Sequence, residues 1–312
     1  MIGKIQNLEK KIDDKNIIKG ISFTLEEGSI NAVLGPNGVG KTTTIRLLTG
    51  LLQPTKGVIQ LFGVDTQKEY FDRVRKDVGV QNDGNLYENL TVYENLKIWA
   101  NFYNVNSDKR EKRIQELLKY FNLDSRKHSK VGALSKGMKQ KVSIIRSLIH
   151  NPKLLILDEP TSGLDPSTSA DLIKYLQKIV EEENVTIFMC THQLQGLEEL
   201  ADNIFIMYDG QFIVAGESNF LLKQEWPGHE FAITTNNYDK SIESLTINNY
   251  EIINKYSNSQ KIIIRLNQYE DISKVINILI EHNIGIYTVT EIEHTIKELY
   301  FRKIKEVQNN EL

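Results

Sequence analysis

Two short segments carry the residue types that phosphate chemistry needs. Gly35-Pro36-Asn37-Gly38-Val39-Gly40-Lys41-Thr42 fits the spacing G-x-x-x-x-G-K-[ST], follows the apolar run INAVL and precedes a helical pattern. Glycines at these positions let the backbone curl so that consecutive N–H groups face a phosphate, and the helix that follows adds its positive end. Lys41 supplies a mobile point charge for the β- and γ-phosphates, and the Thr42 hydroxyl is a hard oxygen suited to Mg²⁺; Thr43, next in the loop, is a further ATP-binding candidate. The second segment is Leu154-Leu155-Ile156-Leu157-Asp158-Glu159. An apolar strand here delivers two acids at its carboxyl end, where open α/β sheets bind ligands. Asp158 is placed to hold the Mg²⁺ shell, and Glu159 to polarise a water attacking the γ-phosphate. Alone, the first segment could be a glycine-rich turn and the second a capping pair before Pro160. Their co-occurrence favours nucleotide chemistry.

Such groups need a scaffold that brings strand ends together. Up to about residue 216, short apolar runs (30–34, Leu154–Leu157, Val185–Cys190) alternate with helical patterns such as Lys41–Leu52, which predicts a parallel α/β sheet. Gly3–Ile12, Gly20–Glu26 and Gly57–Phe62 read as exposed strands beside it. Tyr93–Tyr120 reads as a helical insertion with a break and N-cap at Asn106-Ser107-Asp108, and Tyr208-Asp209-Gly210-Gln211 as a hairpin turn. After Glu217 and the linker Trp226-Pro227-Gly228, the pattern is β-α-β-β-α-β: strand Phe231–Thr235, helix Tyr238–Leu245, strands Tyr250–Lys255 and Lys261–Leu266, helix Asp271–Glu281 and strand Gly285–Glu291. That order predicts a ferredoxin-like unit, followed by a last helix, Ile296–Lys305.

The 312 residues suit two domains, and 40% apolar with 25% charged residues is ordinary globular usage. A formal charge of −3 argues against a nucleic-acid binder. One cysteine, Cys190, excludes an internal disulfide and reads as a small core residue. The start lacks an apolar core of signal-peptide length, and no run approaches the ~20 apolar residues of a membrane span. A cytoplasmic protein is expected, with any membrane role supplied by a partner.

Between and after the two segments stand Ala133-Leu134-Ser135-Lys136-Gly137-Met138-Lys139-Gln140, Ser162-Gly163-Leu164-Asp165 and Thr191-His192. With these motifs in this order, residues 2–216 resemble the nucleotide-binding subunit of an ATP-binding cassette (ABC) transporter, and the LSKGMKQK form looks most like ABC-2-type exporters. The resemblance implies a P-loop NTPase (RecA-like) α/β core with an antiparallel β subdomain and a helical insertion at about 85–150. The cassette would span 1–222, and a C-terminal accessory α+β domain, with a dimerisation or regulatory role, 223–312. It implies ATP and Mg²⁺ as cofactors, and ATP hydrolysis that drives a separate transmembrane permease docking near Gln81–Tyr103.

Residue by residue, the resemblance makes Ser135 and Gly137 the signature contact to ATP held by a second subunit, a homodimer being expected. A helix starting at Gly137 offers free N–H groups to that anion. Gln81, in Val80-Gln81-Asn82-Asp83, matches the glutamine that senses Mg²⁺ and the membrane partner. Asp165 matches the aspartate across the dimer seam, and His192 the histidine on the γ-phosphate. Three departures stand out. Ile12 occupies the position of the usual adenine-stacking aromatic, Lys136 and Met138 replace a glycine and a glutamine of the signature, and the chain holds one cassette. Tyr87, Leu90, Val92, Tyr93, Trp99 and Tyr103 read mostly as insertion core, with exposure of Tyr87 or Leu90 favouring a docking groove. The cluster Lys136, Lys139 and Lys141 reads as a solvated helix end. The rival readings are a soluble ABC ATPase without a transport role and a low-turnover, nucleotide-gated regulatory subunit.

Overall fold

The computed structural model describes residues 1–82, 86–194, 196 and 200–310. They divide into two compact units: residues 1–218 with 300–310, and 219–299. In chain order the elements are β1 (Gly3–Ile12), β2 (Lys15–Leu25), β3 (Ile30–Leu34), α1 (Lys41–Leu48), β4 (Lys56–Leu61), β5 (Val64–Asp65), α2 (Asp72–Arg75), β6 (Val78–Gln81), α3 (Val92–Phe102), α4 (Ser107–Tyr120), α5 (Lys136–Leu148), β7 (Leu154–Asp158), α6 (Pro166–Glu183), β8 (Thr186–Thr191), β9 (Asn203–Tyr208), β10 (Gln211–Glu217), α7 (Ser218–Glu225), β11 (His229–Thr235), α8 (Tyr238–Ile247), β12 (Glu251–Tyr256), β13 (Lys261–Leu266), α9 (Ile272–Glu281), β14 (Ile286–Ile292) and α10 (Ile296–Asn310).

The first unit holds a six-stranded sheet in the order β10-β9-β3-β8-β7-β6. Strands β9, β3, β8, β7 and β6 run parallel, and β10 is an antiparallel edge. All five residues of β3 and all six of β8 are buried, as continuous apolar runs covered on both faces require. Between β9 and β10, Asp209 (φ 43°) and Gly210 (φ 75°) both take the left-handed geometry that a two-residue hairpin turn demands.

A four-stranded antiparallel sheet, β2-β1-β4-β5, lies in the same unit. β1 and β4 fall where expected, β2 begins at Lys15 rather than Gly20 and β5 is an additional strand, and none of the expected three is exposed on both faces. Ile5, Leu8, Ile18, Ile21, Phe23, Leu25, Ile59 and Leu61 are buried and join residues of the parallel sheet in one core. Phe23 packs on Phe188 and Phe205 with ring centroids 5.6 and 5.3 Å apart. Alternation along β2 is therefore the signature of one covered face. The helix expected over Lys41–Leu52 ends at Leu48, where Gly50 at φ 69° turns the chain away.

Helix α3 starts at a capping box between Thr91 and Glu94, and α4 at the expected Asn106 cap. Gly79 lets α5 approach β6 closely, since a Cβ there would stand 2.2 Å from the Ser147 carbonyl oxygen. Tyr103 stacks on His150 at 3.7 Å, and burial pushes the His150 imidazole down from its ordinary value near 6.5 to about 4.

In the second unit the strand order is β12-β13-β11-β14, with every neighbouring pair antiparallel. This is the expected ferredoxin-like arrangement. Leu245 of α8 and Val275 and Leu279 of α9 share a core with Phe231, Ile233, Ile262 and Ile264 of the sheet. The buried Glu230 carboxylate is held by Arg265 at 2.8 Å and His294 at 3.1 Å.

Candidate functional site

Strand register brings the candidate groups together. Leu34, which ends β3, pairs with Thr191 of β8; Cys190 pairs with Asp158 of β7; Leu157 pairs with Gln81 of β6. The carboxyl ends of four parallel strands thus form one edge, although their residues are up to 157 positions apart in sequence.

The loop that leaves β3 carries the first group. Pro36, Asn37 and Gly38 are exposed, whereas Gly35, Val39, Gly40 and Lys41 are buried. Gly38 (φ 82°) and Gly40 (φ 119°) take backbone geometry open mainly to glycine, and at Gly40 a Cβ would also meet the Ile18 side chain at 2.7 Å. Gly40 is the N-cap of α1 and offers no side-chain cap, so the first N–H groups of α1 keep their capacity for an anion. Thr42 is exposed and Thr43 half-buried at that end.

Lys41 curls back over its own loop. Its ammonium donates to the carbonyl oxygens of Gly35 at 2.6 Å and Pro36 at 3.2 Å, and it pairs with Glu159 at 3.4 Å. The Thr42 hydroxyl donates to Asp158 at 2.9 Å. A hydroxyl and a carboxylate oxygen meeting beside a phosphate-binding loop are hard donors of the kind magnesium takes, so these residues fit that ion. Gln81 is fully buried, and its carbonyl oxygen accepts from the Asp158 N–H at 3.1 Å. That contact fixes the amide orientation and leaves the buried Nε2 without a hydrogen-bond partner. A metal contact from Gln81 would have to use the second lone pair of the engaged oxygen.

Glu159 is the most connected group. Its carboxylate accepts from the Thr191 hydroxyl at 3.1 Å and the His192 N–H at 3.2 Å, and lies 2.9 Å from His192 Nδ1. Its backbone is left-handed at φ 49°, and its N–H donates to the Cys190 carbonyl oxygen at 2.8 Å. Cys190 itself is fully buried, and burial pushes its thiol well above the ordinary range, which leaves an inert core residue.

Four further residues occupy other positions. Ser135 caps α5, one residue earlier than expected, accepting from Met138 N–H at 3.3 Å; Gly137 lies beside Gly163 and Leu164. Asp165 caps α6, and the Thr168 hydroxyl at 2.7 Å and N–H at 3.0 Å hold its carboxyl below the usual range. Ile12 ends β1 at the hairpin into β2 and is 39% exposed. Lys139 pairs with Glu88 at 2.7 Å and Lys141 donates to the Phe121 carbonyl oxygen at 3.2 Å, so the expected lysine cluster is a set of separate contacts. Asp83 lies outside the described residues.

Sequence reasoning missed Gln140, whose amide donates to the carbonyl oxygens of Glu159 at 3.2 Å and Pro160 at 3.1 Å. No local pattern marks it, because the contact arises only when α5 packs beside the end of β7. Thr191 and Gln193 were also missed as partners of the site; Gln193 accepts from the Thr161 hydroxyl at 2.7 Å. The adjacency of Thr191 to His192 was the one available signal.

A groove of about 240 Å³ lies between α3 and the β6 region, lined by Leu51, Phe71, Arg75, Val80, Trp99 and Tyr103 among others. The Trp99 indole N–H is buried there without a partner, and Phe102 beside it is 69% exposed. Tyr87 is 50% exposed, while Leu90 is half-buried.

Comparisons with known proteins agree with this geometry. The family described as "ABC transporter" matches residues 18–162. The bacitracin transport ATP-binding protein BcrA of Bacillus licheniformis is 32% identical over 302 residues, 96% of each chain. The Nod factor export ATP-binding protein I of Burkholderia lata is 35% identical over 70% of this chain and 72% of that one. A solved dimeric ATP-binding cassette, in a post-hydrolysis state bound to ADP and Pi, superposes with a TM-score of 0.64 at 27% identity, covering 69% of this chain and 98% of that one. The chain belongs to the ATP-binding proteins of the ABC transporter family, which are ATPases.

Proposed function

We propose that this chain is the motor of an exporter: two copies close around two magnesium-bound ATP molecules and drive a separate permease. The observation that carries the reading is the meeting of Lys41, Thr42, Asp158, Glu159 and His192 at one sheet edge. The export direction draws on relatives whose names specify bacitracin transport, Nod factor export and linearmycin resistance.

In this reading the loop N–H groups and the start of α1 hold the phosphates. The Lys41 ammonium exchanges the Gly35 and Pro36 carbonyls for phosphate oxygens. Thr42 and Asp158 would hold the metal, whose charge would offset that building up on the phosphates. Glu159 accepts the proton of the attacking water while Thr191 and His192 keep its carboxylate oriented. Ser135 and Gly137 present the start of α5 to the γ-phosphate held by the second copy, and Asp165 faces the seam between copies. Ile12 gives adenine an aliphatic face, with less stacking energy than an aromatic ring.

Among the described residues no helix is long and apolar enough to cross a membrane. The groove by Trp99 and Arg75 is the docking site in this proposal, taking an amphipathic cytoplasmic helix of the permease and holding the motor at the inner face of the membrane. Its apolar lining, its unpaired indole donor and the exposed Phe102 packed against Trp99 support this choice.

Purified chain should hydrolyse ATP only with magnesium, and Lys41→Ala should lose nucleotide retention. The chain should co-purify with a co-expressed membrane protein from the neighbouring reading frame, and Trp99→Ala should weaken that association without changing basal ATP hydrolysis. Absence of magnesium-dependent ATPase activity would refute the motor reading; equal co-purification of Trp99→Ala would refute the docking site.

A further inference from the structure

Glu159 sits in a backbone position that nothing in its own chemistry favours. It is a non-glycine residue at φ 49°, and it directly precedes Pro160, a combination sterics disfavour. Such geometry persists only where surrounding bonds over-determine it. Three bonds to its backbone do so. Its N–H donates to the Cys190 carbonyl oxygen at 2.8 Å, its carbonyl oxygen accepts the Ser162 N–H at 3.0 Å, and the same oxygen accepts from Gln140 at 3.2 Å.

The Gln140 amide, on a side chain only 9% exposed, also donates to the Pro160 carbonyl oxygen at 3.1 Å. An amide nitrogen has two hydrogens, which matches two converging carbonyls. Gln140 thus spans the peptide plane between Pro160 and Glu159, the residue that carries the proton-accepting carboxylate. Other contacts fit the same seam closely: at Gly137 a Cβ would lie 3.1 Å from the Gly163 carbonyl oxygen, and at Gly163 one would lie 3.2 Å from the Lys136 side chain. The seam joins α5, capped by Ser135, to the turn that begins at Glu159.

We propose that Gln140 is a positioning residue for hydrolysis: it clamps the Glu159–Pro160 backbone to α5, so that movement of the helix start capped by Ser135 sets the aim of the Glu159 carboxylate. The inference rests on the motor reading, in which Ser135 serves the ATP bound by the partner copy. Gln140 then links the two ATP sites through the interior of each subunit. A shift of about 1 Å in a reacting group can cost on the order of 10²-fold in rate, which sets the size of the expected effect.

The test uses the full chain with Gln140→Met, which keeps the side-chain length without donors, and Gln140→Glu, which faces two carbonyls with a carboxylate. Both should lower kcat about 10- to 100-fold with KM for ATP nearly unchanged; Tm should hold within a few degrees in Gln140→Met and fall further in Gln140→Glu, where a buried carboxylate meets two carbonyls. In a Glu159→Gln background, Gln140→Met should change the residual rate less than about twofold, because Gln140 acts through Glu159. Hydrogen–deuterium exchange of a peptide covering 159–165 should quicken in Gln140→Met. Wild-type kcat in Gln140→Met, a full additional loss in the Glu159→Gln background, or unchanged exchange would each overturn the proposal. Lack of turnover in the wild-type chain would instead refute the motor reading, and the exchange experiment would still decide whether Gln140 is a clamp.

Discussion

Replacing Glu159 by glutamine separates two roles of one carboxylate. In hydrolysis, removing the proton acceptor should lower kcat by about 10²–10⁴, the usual contribution of a positioned base. In binding the effect should have the opposite sign. Lys41, 6% exposed, lies 3.4 Å from Glu159, and a triphosphate on the loop must compete with that carboxylate for the ammonium. At an effective dielectric constant near 20, the attraction at this distance is about 5 kcal/mol. A glutamine oxygen still accepts from Lys41, and solvent reaches Glu159, so only about 1–2 kcal/mol of that should appear as improved affinity. This corresponds to roughly 5- to 30-fold tighter nucleotide binding. The assay is isothermal titration of wild type and Glu159→Gln with a non-hydrolysable ATP analogue and magnesium, beside steady-state phosphate release with ATP. Wild-type turnover in the variant would remove Glu159 from the base role. Unchanged or weaker affinity would refute the argument that the Lys41–Glu159 pair opposes binding.

Asp158→Asn keeps an oxygen beside Thr42 but removes the carboxylate charge, so the gain in ATP affinity on adding magnesium should shrink at least ~10-fold, read by titration with and without EDTA. The neutral, half-buried His150 makes stability pH-dependent. Below about pH 6.5 the unfolded chain binds the proton, and the folded chain does not until about pH 4, so stability should fall by about 2–3 kcal/mol across that window and level off below it. Urea titrations of His150→Gln should lack this component; an identical pH slope in both proteins would refute it. Gly79→Ala places a methyl group 2.2 Å from the Ser147 carbonyl oxygen and should cost about 2–4 kcal/mol, measured by the same denaturation.

The chemistry of the site was legible because it is written in local runs. Gly35–Thr42 needs glycines, a lysine and a hydroxyl at fixed spacing, and Leu154–Glu159 needs an apolar strand that ends in acids, so each can be read without knowing its neighbours. The capping residue Asn106, the Asp209-Gly210 hairpin and the C-terminal β-α-β-β-α-β order are likewise set by backbone preferences within a few residues. Side-chain alternation in β1, β2 and β4 identified strands but not their cover, since a period of two says that one face differs from the other and not what packs against it.

Only tertiary structure decided which distant residues meet. Register between β3, β8, β7 and β6 places Leu34, Thr191, Asp158 and Gln81 on one edge, and hydrogen bonds between strands leave no trace in either strand alone. The same holds for the strained backbone of Glu159 and for Gln140 reaching two carbonyls from another helix, which depend on how α5 lies against the sheet. Residue type and spacing determined which chemistry this protein carries; long-range packing determined the angle and distance at which its groups act.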